Sequence, residues 1–143
     1  MTNAHLEISA VAFDNLALQV LLSARRGAMP LASTRNSPTD LWYLAMVGAE
    51  AAGCVSLSPL TDGFEVRRLF VLPEMRGGGV ARALMAHVET VARARAASVL
   101  RLESGRSLDA AHRLYLAMGF LPGEVFGAHV RSDDSCFFVK ALS

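Results

Sequence analysis

The sequence predicts an α/β protein, of the α+β kind with one mixed sheet, and three observations carry that expectation. Leu6, Ile8 and Ala10 alternate with Glu7 and Ser9 ahead of a helical pattern, which is the period of a half-buried strand. Two β-favouring segments flank a break marked by Gly48, Glu50 and Gly53. A near-continuous apolar segment stops at Pro73, and three adjacent glycines then open an amphipathic helical pattern.

Taken in order, the first strand leads to Asp14 or Asn15 as the N-cap of a helix over 16–25. Residues 27–40 are rich in Pro, Ser, Thr and Asn without a sustained period, so they read as a loop, one suited to close over a substrate. A hairpin follows, 42–47 paired with 52–58, ended by Pro59 and an Asp62-Gly63 turn. Residues 64–72 read as a strand, and its near-continuous apolar character after Arg68 suggests a central position covered on both faces. In the next helix, running to about residue 95, Val80, Leu84, Val88, Val91 and Ala92 share one face. A strand over 98–103, a loop over 104–107 and a helix over 108–118 come next, with Gly119 closing the helix. Segments 125–130 and 136–141 flank a polar run at 131–135 and predict a last hairpin. The sum is about six to seven strands with helices, in one domain over 1–143.

Composition narrows the function classes. Apolar residues make up 52% and charged ones 19%, the profile of a packed core. With 14 Lys plus Arg against 13 Asp plus Glu, the net charge of +1 gives no field for gripping nucleic acid or an anionic membrane, so a small or locally recognised partner is expected. Cys54 and Cys136 stand alone, without zinc or disulfide spacing, and read as buried filler; no metal and a reducing, cytoplasmic setting are expected. The first residues lack the pattern of a signal peptide. The apolar stretch 41–60 reads as a buried hairpin rather than a membrane helix, because a charge and two glycines break it near its middle.

The strongest chemical signal is 71–81, Val-Leu-Pro-Glu-Met-Arg-Gly-Gly-Gly-Val-Ala. Glycines at a helix start let the backbone take positive φ and turn successive N–H groups into one concavity, and the helix dipole adds to it. Such a turn suits a diphosphate, with Arg76 adding charge at its mouth. A P-loop would need Gly-Lys-Ser/Thr and a dinucleotide fold GxGxxG with a later acid, and neither pattern occurs.

At this point Arg76-Gly77-Gly78-Gly79-Val80-Ala81 resembles the Arg/Gln-x-x-Gly-x-Gly/Ala turn of the GNAT superfamily of N-acetyltransferases. The segment from Ala111 to Phe120 is similar to that family's Ala-x-x-Leu-Tyr-x-x-x-Gly-Phe motif, and Leu102-Glu103-Ser104-Gly105 to the strand end before it. The pattern departs at Leu108, where relatives often carry Gln or Asn. The resemblance implies a sheet splayed open between 69–71 and 98–103, with acetyl-CoA as co-substrate in the gap. It places cofactor contacts at Leu69, Phe70, Val71, Arg76, Gly77, Gly78, Gly79, Val80, Ala81, Arg82, Ala111 and Tyr115. It implies transfer of the acetyl group to a primary amine, of a small molecule or of a peptide or protein, by direct attack, with Tyr115 as general acid. Glu103 or Glu65 would be the base, directly or through a water, and Glu103 is the favoured of the two. The alternative is a non-catalytic acyl-CoA-binding sensor or interaction module of the same fold.

The acceptor site would be built from the first helix, the 27–40 loop and the last hairpin, none of which carries a decisive pattern. Asp133 and Asp134 could attract a cation, whereas Arg35 and Arg131 could receive a carboxylate. A homodimer through the last strands or the open sheet edges is one arrangement that the resemblance allows.

Overall fold

The computed structural model describes residues 5–28, 37–127 and 129–142, with Arg26 and Ala28 described only as backbone of a helix. Most of the expected 27–40 loop, with Arg35, therefore lies outside the described residues. Seven strands form one sheet: β1 (Leu6–Val11), β2 (Leu41–Val47), β3 (Glu50–Pro59), β4 (Gly63–Val71), β5 (Val99–Gly105), β6 (Leu121–Pro122) and β7 (Ser135–Ala141), in the order β1-β2-β3-β4-β5-β7-β6. Only the β4–β5 pair is parallel, and helix α2 (Val80–Ala94) makes the crossover between them.

Helices cover both faces. In α1 (Leu16–Ala28), Asn15 is the N-cap, its Oδ1 accepting from the Leu18 N–H at 3.0 Å. Leu18, Leu21 and Leu22 recur at helical spacing and pack on Trp42, Leu44, Cys54 and Phe70. On the other face Val80, Leu84, Met85, Val88 and Ala92 of α2 meet Ala45, Val55, Leu57, Val66 and Leu100. Helix α3 (Asp109–Ala117) joins that core through Tyr115, whose ring lies 5.6 Å from that of Phe138. Lys140 pins the layers, with its Nζ donating to Glu89 Oε1 at 2.6 Å and to the Met118 carbonyl at 2.7 Å. No helix among the described residues is long and apolar enough to cross a membrane, and the 41–60 stretch is the β2–β3 hairpin.

Two local expectations are corrected. The second strand of the hairpin starts at Glu50 instead of 52, because the turn closes at Val47 and Glu50, and Gly53 lies inside β3, where a Cβ would meet the Phe70 carbonyl at 2.7 Å. The described residues of 125–130, which do not include 128, form no strand: β7 pairs instead with β6, the short edge strand that contains Pro122. The chain leaves the ladder after the Gly123 N–H bonds the Phe137 carbonyl at 2.8 Å. It then folds over the sheet because Phe126 and His129 stack on Phe137 and His129 reaches Glu65.

Candidate active site

The sheet splits where the site forms. Pairing of β4 with β5 stops at Val66 and Leu102, while β5 continues along β7 as far as Gly105. Beyond Val66 the edge of β4 that faces β5 has no strand partner among the described residues. A bulge accompanies the split, since Cys54 pairs with Phe70 and Ser56 with Arg67, which leaves Arg68 and Leu69 opposite Val55 alone. Arg68 takes φ +57°, a left-handed conformation that is strained for a residue with a Cβ. The result is a cleft of about 860 Å³ between the two strands, walled by α2 and α3.

One end of the cleft is the glycine turn. Gly77 and Gly79 have φ +85° and +84°, and a Cβ built on either meets nothing within 4 Å, so the space above these backbones is open. Gly79 is the N-cap of α2 and no side chain caps the helix, which leaves its first N–H groups at the cleft without intrahelical partners. That is a cradle for an anion. Arg76 is tied down beside it: Nε donates to the Val71 carbonyl at 3.0 Å and the guanidinium lies 5.9 Å from the centre of the Phe70 ring. The residues therefore fit a diphosphate-bearing co-substrate.

The other end holds titratable groups. Tyr115 is buried, and desolvation raises its phenol to about 12, against which a hydrogen bond with Ser104 and the charge of Arg25 act in the opposite sense. Ser104 Oγ is also 3.2 Å from His112 Nε2. Glu103 lines the cleft near the end of β5, its side chain 31% exposed. Glu65 is buried on β4, where its Oε2 lies 2.6 Å from His129 Nε2 and 4.0 Å from Arg67 Nε. His129 Nδ1 is 3.5 Å from Glu103 Oε1, so this one ring bridges the two carboxylates.

Arg25, Arg67 and Arg68 gather at the same end. Burial, followed by the charges of Arg67 and Arg25, brings the Arg68 guanidinium down to about 10, which leaves it charged at neutral pH. Cys54 is fully buried under α1, and desolvation pushes its thiol to about 12, in keeping with a packing role.

Of the residues singled out from sequence, Leu69, Phe70, Val71, Arg76, Gly77, Gly79, Val80, Ala81, Arg82, Glu103, Ala111 and Tyr115 all line the cleft. Gly78 and Glu65 do not; Glu65 reaches the site through His129. Leu108, the departure from the family's pattern, lines the cleft and holds the N-cap of α3 with no side-chain hydrogen bond. Asp133 and Asp134 are exposed, as is Arg131. Sequence reasoning missed His129, Ser104, Arg25, Arg67 and Arg68; the signal it could have used was the adjacent Arg67 and Arg68 inside a strand that is apolar after them.

Comparison with known proteins agrees with this geometry. The family profile "Acetyltransferase (GNAT) family" matches residues 13–120. The chain is 33% identical to the IAA acetyltransferase of Azospirillum brasilense over 111 residues, covering 76% of this chain and 72% of that one. It is 30% identical to the uncharacterized N-acetyltransferase YsnE of Bacillus subtilis (strain 168) over 118 residues, covering 80% and 78%. A structure from Klebsiella pneumoniae subsp. pneumoniae MGH 78578, assigned as an acyl-CoA N-acyltransferase, superposes with a TM-score of 0.88 at 28% identity over 99% of this chain and 100% of that one. The chain thus belongs to the GNAT family of acetyltransferases, and it is an acyltransferase.

Proposed function

We propose that this protein moves the acetyl group of acetyl-CoA to a primary amine by direct attack. The observation that carries the reading is the cleft in the β4–β5 split, with an anion cradle at one end and Tyr115 and Glu103 in its walls. Bound acetyl-CoA supplies an acetyl thioester. Backbone N–H groups from Arg76 to Arg82 hold its diphosphate, and the open edge at Leu69 and Val71 offers backbone partners to its amide-bearing arm. The PaiA N-acetyltransferase from Thermoplasma acidophilum, solved in complex with coenzyme A, shares this fold at a TM-score of 0.75 and 14% identity.

An ammonium cannot attack a carbonyl, so a proton must leave the acceptor first. Glu103, exposed to the cleft and joined through His129 to Glu65, takes that proton directly or through a water. Tyr115 keeps its own proton at neutral pH, because burial raises its phenol to about 12, and its hydroxyl gives that proton to the departing thiolate. Direct attack needs no nucleophile from the chain, in line with the inert burial of Cys54. We read the whole chain, 1–143, as one catalytic domain. The two unpaired cysteines suit a cytoplasmic setting.

The test combines acetyl-CoA calorimetry with thiol release over an amine panel. Binding plus turnover that falls in Tyr115→Phe supports the reading. Tight binding with no turnover on any amine would instead favour an acyl-CoA sensor, and no binding at all would sink both.

A further inference from the structure

We propose that the acceptor carries a carboxylate as well as its amine, and that Arg25, Arg67 and Arg68 receive that carboxylate. The proposal rests on the N-acetyltransferase reading and names the class of acceptor for the same cleft.

Arg25 comes from the last turns of α1, Arg67 and Arg68 from the bulge of β4, and all three line the cleft. They stand close enough for the charges of Arg67 and Arg25 to oppose that of Arg68, and for Arg67 to oppose Arg25. Like charges held together in a partly desolvated cleft cost free energy unless anions compensate them. Two carboxylates do so in part. Glu65 lies 4.0 Å from Arg67 Nε, and the charge of Asp40 reaches Arg68. Both are already engaged: Glu65 with His129 at 2.6 Å, and Asp40 with the Ser58 hydroxyl at 2.7 Å and the Ser37 N–H at 2.9 Å. Among the described residues the groups whose charges act on Arg25 are Cys54, Arg67 and Tyr115, none of them a carboxylate, so its guanidinium is the one open to the anion of an acceptor.

A polar atom in the cleft wall points the same way. Arg25 Nε is buried and has no hydrogen-bond partner among the described residues. Buried polar groups of this kind are uncommon in folded proteins and costly when unmet. A carboxylate brings several lone pairs in the plane that guanidinium forks match.

The layout also orients the acceptor. Glu103 and Tyr115 line the same cleft, and the charge of Arg25 reaches the Tyr115 hydroxyl. An amine directed at Glu103 and a carboxylate directed at the arginines need only a short spacer, as in an amino acid. A polyamine or a lysine in a basic protein tail would bring more positive charge to three arginines and be repelled.

The test uses product-like probes on the full chain saturated with CoA. N-acetylglycine, N-acetyl-leucine and N-acetylphenylalanine are each titrated by calorimetry against the matching carboxamide. The expected result is that at least one acid binds ten-fold or more tightly than its amide. Arg25→Gln, remote from the β4 ladder, should cut that ratio below about three-fold, and Arg25→Lys should restore part of it. Equal binding of acids and amides, or binding of neither, in protein that takes up CoA would overturn the proposal and leave the acetyltransferase reading standing. Failure to take up CoA would remove both.

Discussion

His129 Nε2 lies 2.6 Å from Glu65 Oε2, although the two residues are 64 positions apart in the chain. The opposite ring nitrogen is 3.5 Å from Glu103 Oε1. The two carboxylates that the sequence offers as alternative bases are therefore parts of one group joined by an imidazole. Of the two, Glu103 lines the cleft and Glu65 is buried behind it.

That arrangement predicts unequal effects. Glu103→Gln should lower kcat by about 100-fold or more, the usual worth of a positioned base. Glu65→Gln should lower it less, since Glu65 acts through His129. Thiol-release kinetics at saturating acetyl-CoA decide the order, and equal losses would contradict it. His129→Gln should destabilise the fold by roughly 1–3 kcal/mol in urea titrations, because it leaves the buried Glu65 without its nearest partner.

Tyr115→Phe should reduce kcat by about 100-fold while the KM for acetyl-CoA changes little, since the ring stays packed on Phe138 and only the proton donor is lost. Because burial raises the phenol to about 12, the wild-type rate should show no fall from Tyr115 ionisation between pH 8 and 10. An alkaline limb in that range that vanishes in Tyr115→Phe would refute the assignment.

Substitutions in the glycine turn should separate by backbone conformation. Gly79→Val should abolish CoA binding at a cost of about 1–2 kcal/mol in stability, because its φ of +84° disfavours any Cβ and the added bulk enters the open cradle. Gly77→Ala should weaken binding for the same reason, at φ +85°. Gly78 has no positive φ, lies outside the cleft lining, and a Cβ on it meets only the Met75 carbonyl at 3.7 Å. Gly78→Ala should therefore bind CoA nearly as the wild type does, and calorimetry on the three variants checks the ranking.

Alkaline stability should depend on Cys54. Its thiol rises from an ordinary 9.0 to about 12 in the folded chain. Below pH 9 both states hold the proton and the contribution is complete. Between pH 9 and 12 the unfolded chain releases it first, so stability falls, on the order of 4 kcal/mol across the window. Cys54→Ala, at a cost of roughly 1 kcal/mol for the lost packing, should flatten this decline in denaturant titrations taken at pH 8 and pH 10.5. Parallel declines in the two proteins would refute it.

At the N-cap of α3, Leu108→Asn should stabilise the protein by roughly 0.5–1 kcal/mol, because the position has no side-chain cap hydrogen bond and Asn supplies one. An unchanged melting midpoint would count against it.

The amino-acid sequence by itself determined the order of strands and helices as far as α3, the apolar face of α2, an N-cap for α1 at Asp14 or Asn15, and the glycine turn from Arg76 to Ala81. These are short-range properties: a period of two or 3.6, a capping side chain, a residue without a Cβ. Tertiary structure alone decided that 125–130 would fold across the sheet instead of pairing in it, that Arg68 would sit in a bulge, and that His129 would join Glu65 to Glu103. It also brought Arg25 of α1 beside Arg67 and Arg68 of β4. Each of these joins residues far apart in the chain, where charge pairing and packing outweigh local preference and leave no periodic trace to read.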